Sequence, residues 1–160
     1  MKSDHPALAK VQKLLLKISS NLQKADENTF TLRHESARAF IRVDEEDANS
    51  FVTIEILMVK DLTLTPELLE FVALDNSYTF GHIYLEPLDG SAVLMFRHTL
   101  LADNLDEDTL AWAVVGMLKS ANHDGKEITK RFGGKLFRRR NRHGTAAFAF
   151  DFDAADSADF

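Results

Sequence analysis

Between Asn104 and Gly134 the chain carries an apolar stripe longer than most globular helices offer. Leu110, Val114, Met117, Leu118, Ala121, Ile128 and Phe132 recur by three, four or a near multiple of about 3.6 residues. Asn104 or Asp106 is placed to cap the first amides, and Glu107 and Asp108 suit the positive end of the helix dipole. Lys130 and Arg131 suit the negative end, and Gly133-Gly134 supplies a left-handed stop. Such a helix is roughly 40 Å long. A stripe of that length needs a broad, flat partner, which points to a sheet. Inside it, Gly125 costs about 1 kcal/mol relative to alanine, and together with Asn122-His123-Asp124 it predicts a bend or break there.

The preceding residues supply the strands. Thr29–Glu35 alternates Phe30 and Leu32 with polar residues. Ala37–Asp44 sets Ala37, Ala39, Ile41 and Val43 against Arg38, Phe40, Arg42 and Asp44. Phe51–Lys60 places Val52, Ile54, Ile56 and Met58 on one face, with Phe51, Thr53, Glu55, Leu57 and Val59 on a mixed second face. Ser36 marks one reversal, and the run Asp44–Asp47 with Ala48-Asn49-Ser50 predicts a solvated hairpin loop. Connections this short exclude crossovers, so the strands are antiparallel.

Two more helices and a hairpin complete the pattern. Pro6 opens an amphipathic helix expected over Ala7–Gln23, with Leu8, Val11, Leu15, Ile18 and Leu22 inward and lysines outward. Thr65-Pro66 opens a short helix whose apolar face is Leu68, Leu69 and Val72, ending near Asp75-Asn76-Ser77. Asp89-Gly90 predicts a two-residue turn pairing Leu88 with Ser91, Glu86 with Val93, Tyr84 with Met95 and His82 with Arg97. Ile83, Leu85, Ala92, Leu94 and Phe96 then face the core. The opposite face collects His82, Tyr84, Glu86, Val93, Met95 and Arg97, a set too apolar for a purely solvated surface.

The architecture expected is therefore α+β: one antiparallel sheet of about five strands with helices packed on one face, in the order α-β-β-β-α-β-β-α. Residues 1–136 form the domain, and residues 137–160 form a tail in which a basic stretch gives way to an acidic, Phe-rich one. The chain has no cysteine, which excludes disulfides, thiolate metal sites and a cysteine nucleophile. Neither a signal peptide nor a run of roughly 20 apolar residues is present, so a cytoplasmic protein without membrane contact is expected. The six histidines form no metal-ligand spacing, and no glycine-rich phosphate loop or nucleophile motif occurs. No metal, no cofactor and no catalytic residue is expected, leaving a small enzyme with a cryptic site as a rival reading.

The strand Phe51–Val59, the segment Thr65–Asn76 (TPELLEFVALDN), the Gly81-initiated hairpin with Asp89-Gly90, and the block Leu105–Gly134, with LDEDTL at its start and RFGG at its end, carry a resemblance. Together they resemble the specificity chaperones of type III secretion and, more closely, the YbjN-like proteins described as sensory transduction regulators or peptide-binding chaperones. The likeness covers about residues 5 to 135. It implies a bacterial α+β domain, a homodimer, that binds protein segments and catalyses nothing. It brings no motif that transfers residue by residue.

The residues themselves suggest where a client segment would sit: at a sheet edge, or on the mixed face. Phe40, Tyr84, Val93 and Met95 would provide apolar contact there, with His82 and Arg97 on a polar rim. Phe148, Phe150 and Phe152 alternate with Ala149, Asp151 and Asp153, a pattern able to form a one-sided strand that mimics a client. The run Lys135–His143, with Arg138, Arg139, Arg140 and Arg142, is the alternative feature, a basic patch for nucleic-acid phosphates. The formal net charge of -6 weighs against a nucleic-acid partner.

Overall fold

A computed structural model describes residues 5–137. The elements are α1 (Pro6–Ile18), β1 (Gln23–Lys24), β2 (Thr29–His34), β3 (Ala37–Glu46), β4 (Asn49–Leu62), α2 (Pro66–Leu74), β5 (His82–Leu88), β6 (Ser91–Leu101), α3 (Glu107–Phe132) and β7 (Lys135–Leu136). All pairings are antiparallel, in the order β1-β2-β3-β4-β6-β5, with β7 on β4. The α+β architecture and the order of the larger elements match expectation. The sheet has seven strands rather than about five because β1 and β7, of two residues each, are added.

Two boundaries differ from the sequence reading, each for a local reason. Helix α1 stops at Ile18 instead of running to Gln23. The Asn21 amide donates to Ser19 Oγ at 3.1 Å, one of the local bonds by which serine and asparagine draw the backbone out of a helix. The β3–β4 connection is no extended acidic loop, since pairing continues to Glu46↔Asn49 and leaves Asp47-Ala48 as the turn. Asp47 takes the left-handed conformation (φ 55°) that aspartate tolerates better than most residues. In α2, Thr65 Oγ1 caps the Leu68 amide at 3.2 Å, but only Leu68 of the expected face is fully buried, and Leu69 stays exposed.

Helix α3 is continuous through Gly125, so the expected break is absent. That glycine serves packing instead: a Cβ there would meet Leu136 Cδ2 at 3.0 Å and Met58 O at 3.6 Å. The Asp106 carboxylate caps the helix through the Thr109 amide at 2.7 Å, and that bond holds its pKa below the ordinary value. The stripe from Leu110 to Ile128 packs on β4 and β3, with β2 and β6 at its margins, and α1 lies beside it. Buried Asn122 fastens the helix to the β2–β3 turn, accepting from Ser36 Oγ at 2.5 Å and donating to Glu35.

Near its end β4 shifts register against β6 between Leu57 and Val59, so Met58 and Val59 both enter the helix-side core. Beyond this point β3 no longer accompanies β4, and β7 takes over through Val59↔Leu136 and Lys60↔Lys135. Gly134 makes this possible. It lies at φ +78°, where an added Cβ would come within 2.6 Å of Lys60 O. Among the described residues, no helix is long and apolar enough to cross a membrane.

Candidate functional site

All three helices contribute to the core on one side of the sheet, together with Ala39, Ile41, Ile54, Ile56, Leu94 and Phe96. The alternate side chains build a second cluster that contains no helix residue. Phe40, Leu57, Val93 and Met95 form it, with Ala25, Tyr84, Leu88 and Phe137 packed around them. Strand pairing explains the set, because partners in an antiparallel register point the same way. Leu57↔Met95 and Met95↔Tyr84 make one row across β4, β6 and β5, and Phe40↔Glu55, Glu55↔Arg97 and Arg97↔His82 make the next.

The hairpin register expected around Asp89-Gly90 is reproduced pair by pair. Together with the β3–β4 and β4–β6 pairings it brings Phe40, Tyr84, Val93, Met95, Arg97 and His82 onto one face, in keeping with their alternation in the sequence.

The second row is polar and internally answered. Arg97 Nε donates to Glu55 Oε1 at 2.6 Å, a second guanidinium nitrogen contacts the same oxygen, and the Tyr84 hydroxyl donates to it at 3.2 Å. The Arg97 guanidinium also lies 4.7 Å from the centre of the Tyr84 ring. Burial and the Glu55 charge push the Tyr84 phenol up to about 12, with Arg97 opposing. His82 stands exposed at the margin, its ring 5.9 Å from that of Tyr84. Because Glu55 already has partners, covering the neighbouring apolar row strands no charge. The face is thus chemically able to receive an apolar segment.

The sheet edge at β5 is less able to receive one. Asn76 uses its side-chain amide as a false strand, donating to Ile83 O at 2.7 Å and accepting from Ile83 N at 2.8 Å. Two residues beyond Leu85, Pro87 has no amide hydrogen to offer. Only Leu85 retains an outward donor of that parity, so the edge is blunted.

Sequence reasoning did not single out Glu55, Leu57, Leu88, Ala25 or Phe137 for this site. Glu55 and Leu57 were visible as members of a mixed strand face, whereas Phe137 reaches the cluster only through β7. Phe148, Phe150, Phe152, Arg138, Arg139, Arg140 and Arg142 lie outside the described residues. Lys135, at the start of the basic run, is paired with Asp61 at 3.3 Å.

On the helix side, Phe71, Tyr78, Asp124, Glu127, Arg131 and Phe132 line a groove of about 340 Å³ between α2 and α3. Arg131 occupies its aromatic wall, 5.3 Å from the Phe71 ring centre and 4.7 Å from that of Phe132. Burial and the nearby Asp124 raise the Tyr78 phenol far above its ordinary value.

Over residues 7–140 the sequence matches the family model described as T3SS (YopN, CesT) and YbjN peptide-binding chaperone 1. No curated protein matches the chain.

Proposed function

The chain belongs to this family of T3SS and YbjN peptide-binding chaperones, and from that premise we propose that it binds an apolar client segment on the helix-free sheet face, without catalysis. The observation that carries the reading is the cluster of Phe40, Leu57, Val93 and Met95 on the side of the sheet where no helix packs. Tyr84 and Leu88 extend it, and the Glu55–Arg97 pair bounds it. The blunted β5 edge favours the face over edge pairing. A client would take affinity from apolar burial and register from the Arg97 row.

We further expect a cytoplasmic homodimer. The exposed Trp112 and Val115 on α3 provide apolar surface for a second copy to cover, and sedimentation of Trp112→Glu tests this.

Selection of displayed peptides on the full chain, followed by titration of variants, tests the binding site. Met95→Lys is expected to weaken selected apolar peptides about thirty-fold, corresponding to about 2 kcal/mol. Tyr84→Ser, at a half-buried position, is expected to act in the same direction. Urea unfolding of each variant separates lost binding from lost fold. Peptides that bind both variants like the wild type would refute the face as the site.

A further inference from the structure

The last described residue, Phe137, packs against the helix-free cluster, and the Lys60 ammonium lies 5.5 Å from its ring centre. The chain therefore leaves the fold on the proposed binding face, beside β4 and in line with β3, rather than at an edge. Residues 138–160 follow, among them Phe148, Phe150 and Phe152 in period two. We propose that the segment Phe148–Asp153 of the same chain lies on this face, its phenylalanines over the Phe40–Leu57–Met95 cluster, as a built-in competitor of the client. This deepens the reading of that face as a peptide-binding surface and rests on it.

Reach, pattern and charge each support this occupant. Phe148 lies eleven steps along the chain from Phe137, a span of up to about 36 Å at about 3.3 Å per residue. Six strands spaced about 4.8 Å apart make a sheet roughly 24 Å across, so the segment can span the sheet from β7 to β5. Phenylalanine at every second residue gives an extended segment one wholly aromatic side. Asp151 and Asp153 fall on its other side, and Asp156 and Asp159 follow.

The receiving face carries the opposite charge where β2 meets β3. Arg33 and Arg38 are direct cross-strand partners there, and Arg42, paired with Asp44 at 2.6 Å, stands on the same side of β3. An acidic segment laid across these arginines brings charge of opposite sign to them.

The experiment uses the full chain with Phe148, Phe150 and Phe152 all changed to serine, beside the wild type. The first probe is a synthetic peptide of residues 144–156. It is expected to bind the triple-serine variant about ten-fold or more tightly than the wild type, whose own segment competes. The second readout is the Met95 methyl resonance in each free protein, which is expected to differ between the two chains. Equal affinity for the two chains together with an unchanged Met95 signal would overturn the proposal. So would failure of the 144–156 peptide to bind either chain.

A display-selected peptide distinguishes this from failure of the underlying reading. If it binds both chains equally and Met95→Lys abolishes its binding, the face is a peptide site and only the competitor is refuted. If Met95→Lys leaves its binding intact, the face itself is the wrong site. Mixing isotope-labelled triple-serine chain with unlabelled wild type addresses the origin of the segment. A Met95 shift on mixing would show a partner copy's segment in place and overturn the same-chain assignment.

Discussion

Replacing Arg97 with methionine removes the main partner of a carboxylate that is almost fully enclosed. The Glu55 side chain is 7% exposed and that of Arg97 is 43% exposed, so the two members of the pair are not equivalent. Without Arg97, Glu55 retains only the Tyr84 hydroxyl, and an under-compensated buried charge costs about 3 kcal/mol, the lower end of the usual range because the site borders solvent. Replacing Glu55 with leucine instead leaves a guanidinium that can turn into water, at a cost of about 1 kcal/mol. The double variant puts leucine beside Met95 and Phe40 with no charge left to solvate, and is expected to lie within about 1 kcal/mol of the wild type. The coupling between the two positions is then about 4 kcal/mol. Urea unfolding followed by circular dichroism measures it: with a slope of roughly 1.5 kcal/mol per molar, Arg97→Met lowers the midpoint by about 2 M. If the two single variants cost the same, or if the double variant is as unstable as Arg97→Met, the asymmetric-burial argument is wrong.

Three other outcomes are expected. Gly134→Ala places a Cβ against the Lys60 carbonyl, and the loss of about 2 kcal/mol or more is accompanied by faster amide exchange at Lys135 and Leu136; unchanged exchange there contradicts the close approach. Asn122→Ala removes the bonds joining α3 to the β2–β3 turn and costs about 1–2 kcal/mol by the same unfolding assay, whereas a neutral result would mean water replaces them fully. Burial, aided by the His82 charge, holds the His98 pKa below its ordinary 6.5, so the unfolded chain takes the proton first. Its contribution to stability is full above pH 6.5 and is lost as pH falls through the lowered value; His98→Gln is expected to flatten that part of the melting-temperature profile, and an unaltered slope would exclude this origin.

The parts of this fold legible in the sequence are those specified by local chemistry with a clear period. Asp89-Gly90 admits a two-residue turn, and that turn determines which of Tyr84, Met95, Ile83 and Phe96 share a face. The α3 stripe and the Thr65 cap are legible for the same reason. What was hidden depends on distant partners. Gly125 has the composition of a helix break, and only the approach of Leu136 and Met58 shows it to be a packing contact. Strand β7 has two residues and no periodicity to detect, and its pairing waits on a glycine fitting beneath Lys60. Half of the candidate site was visible as alternation along the Tyr84 and Met95 strands. Glu55 became part of it only when β4 and β6 aligned the carboxylate with Arg97.

The insertion of β7 in line with β3 has a thermodynamic consequence for whatever chain follows it. Any segment that binds the helix-free face and is joined at Phe137 would do so as an intramolecular partner, at an effective concentration on the order of millimolar. A free client of equal intrinsic affinity must approach that concentration to take half of the sites. Cutting the connection after Phe137 would lower that threshold without altering a single contact that the client makes.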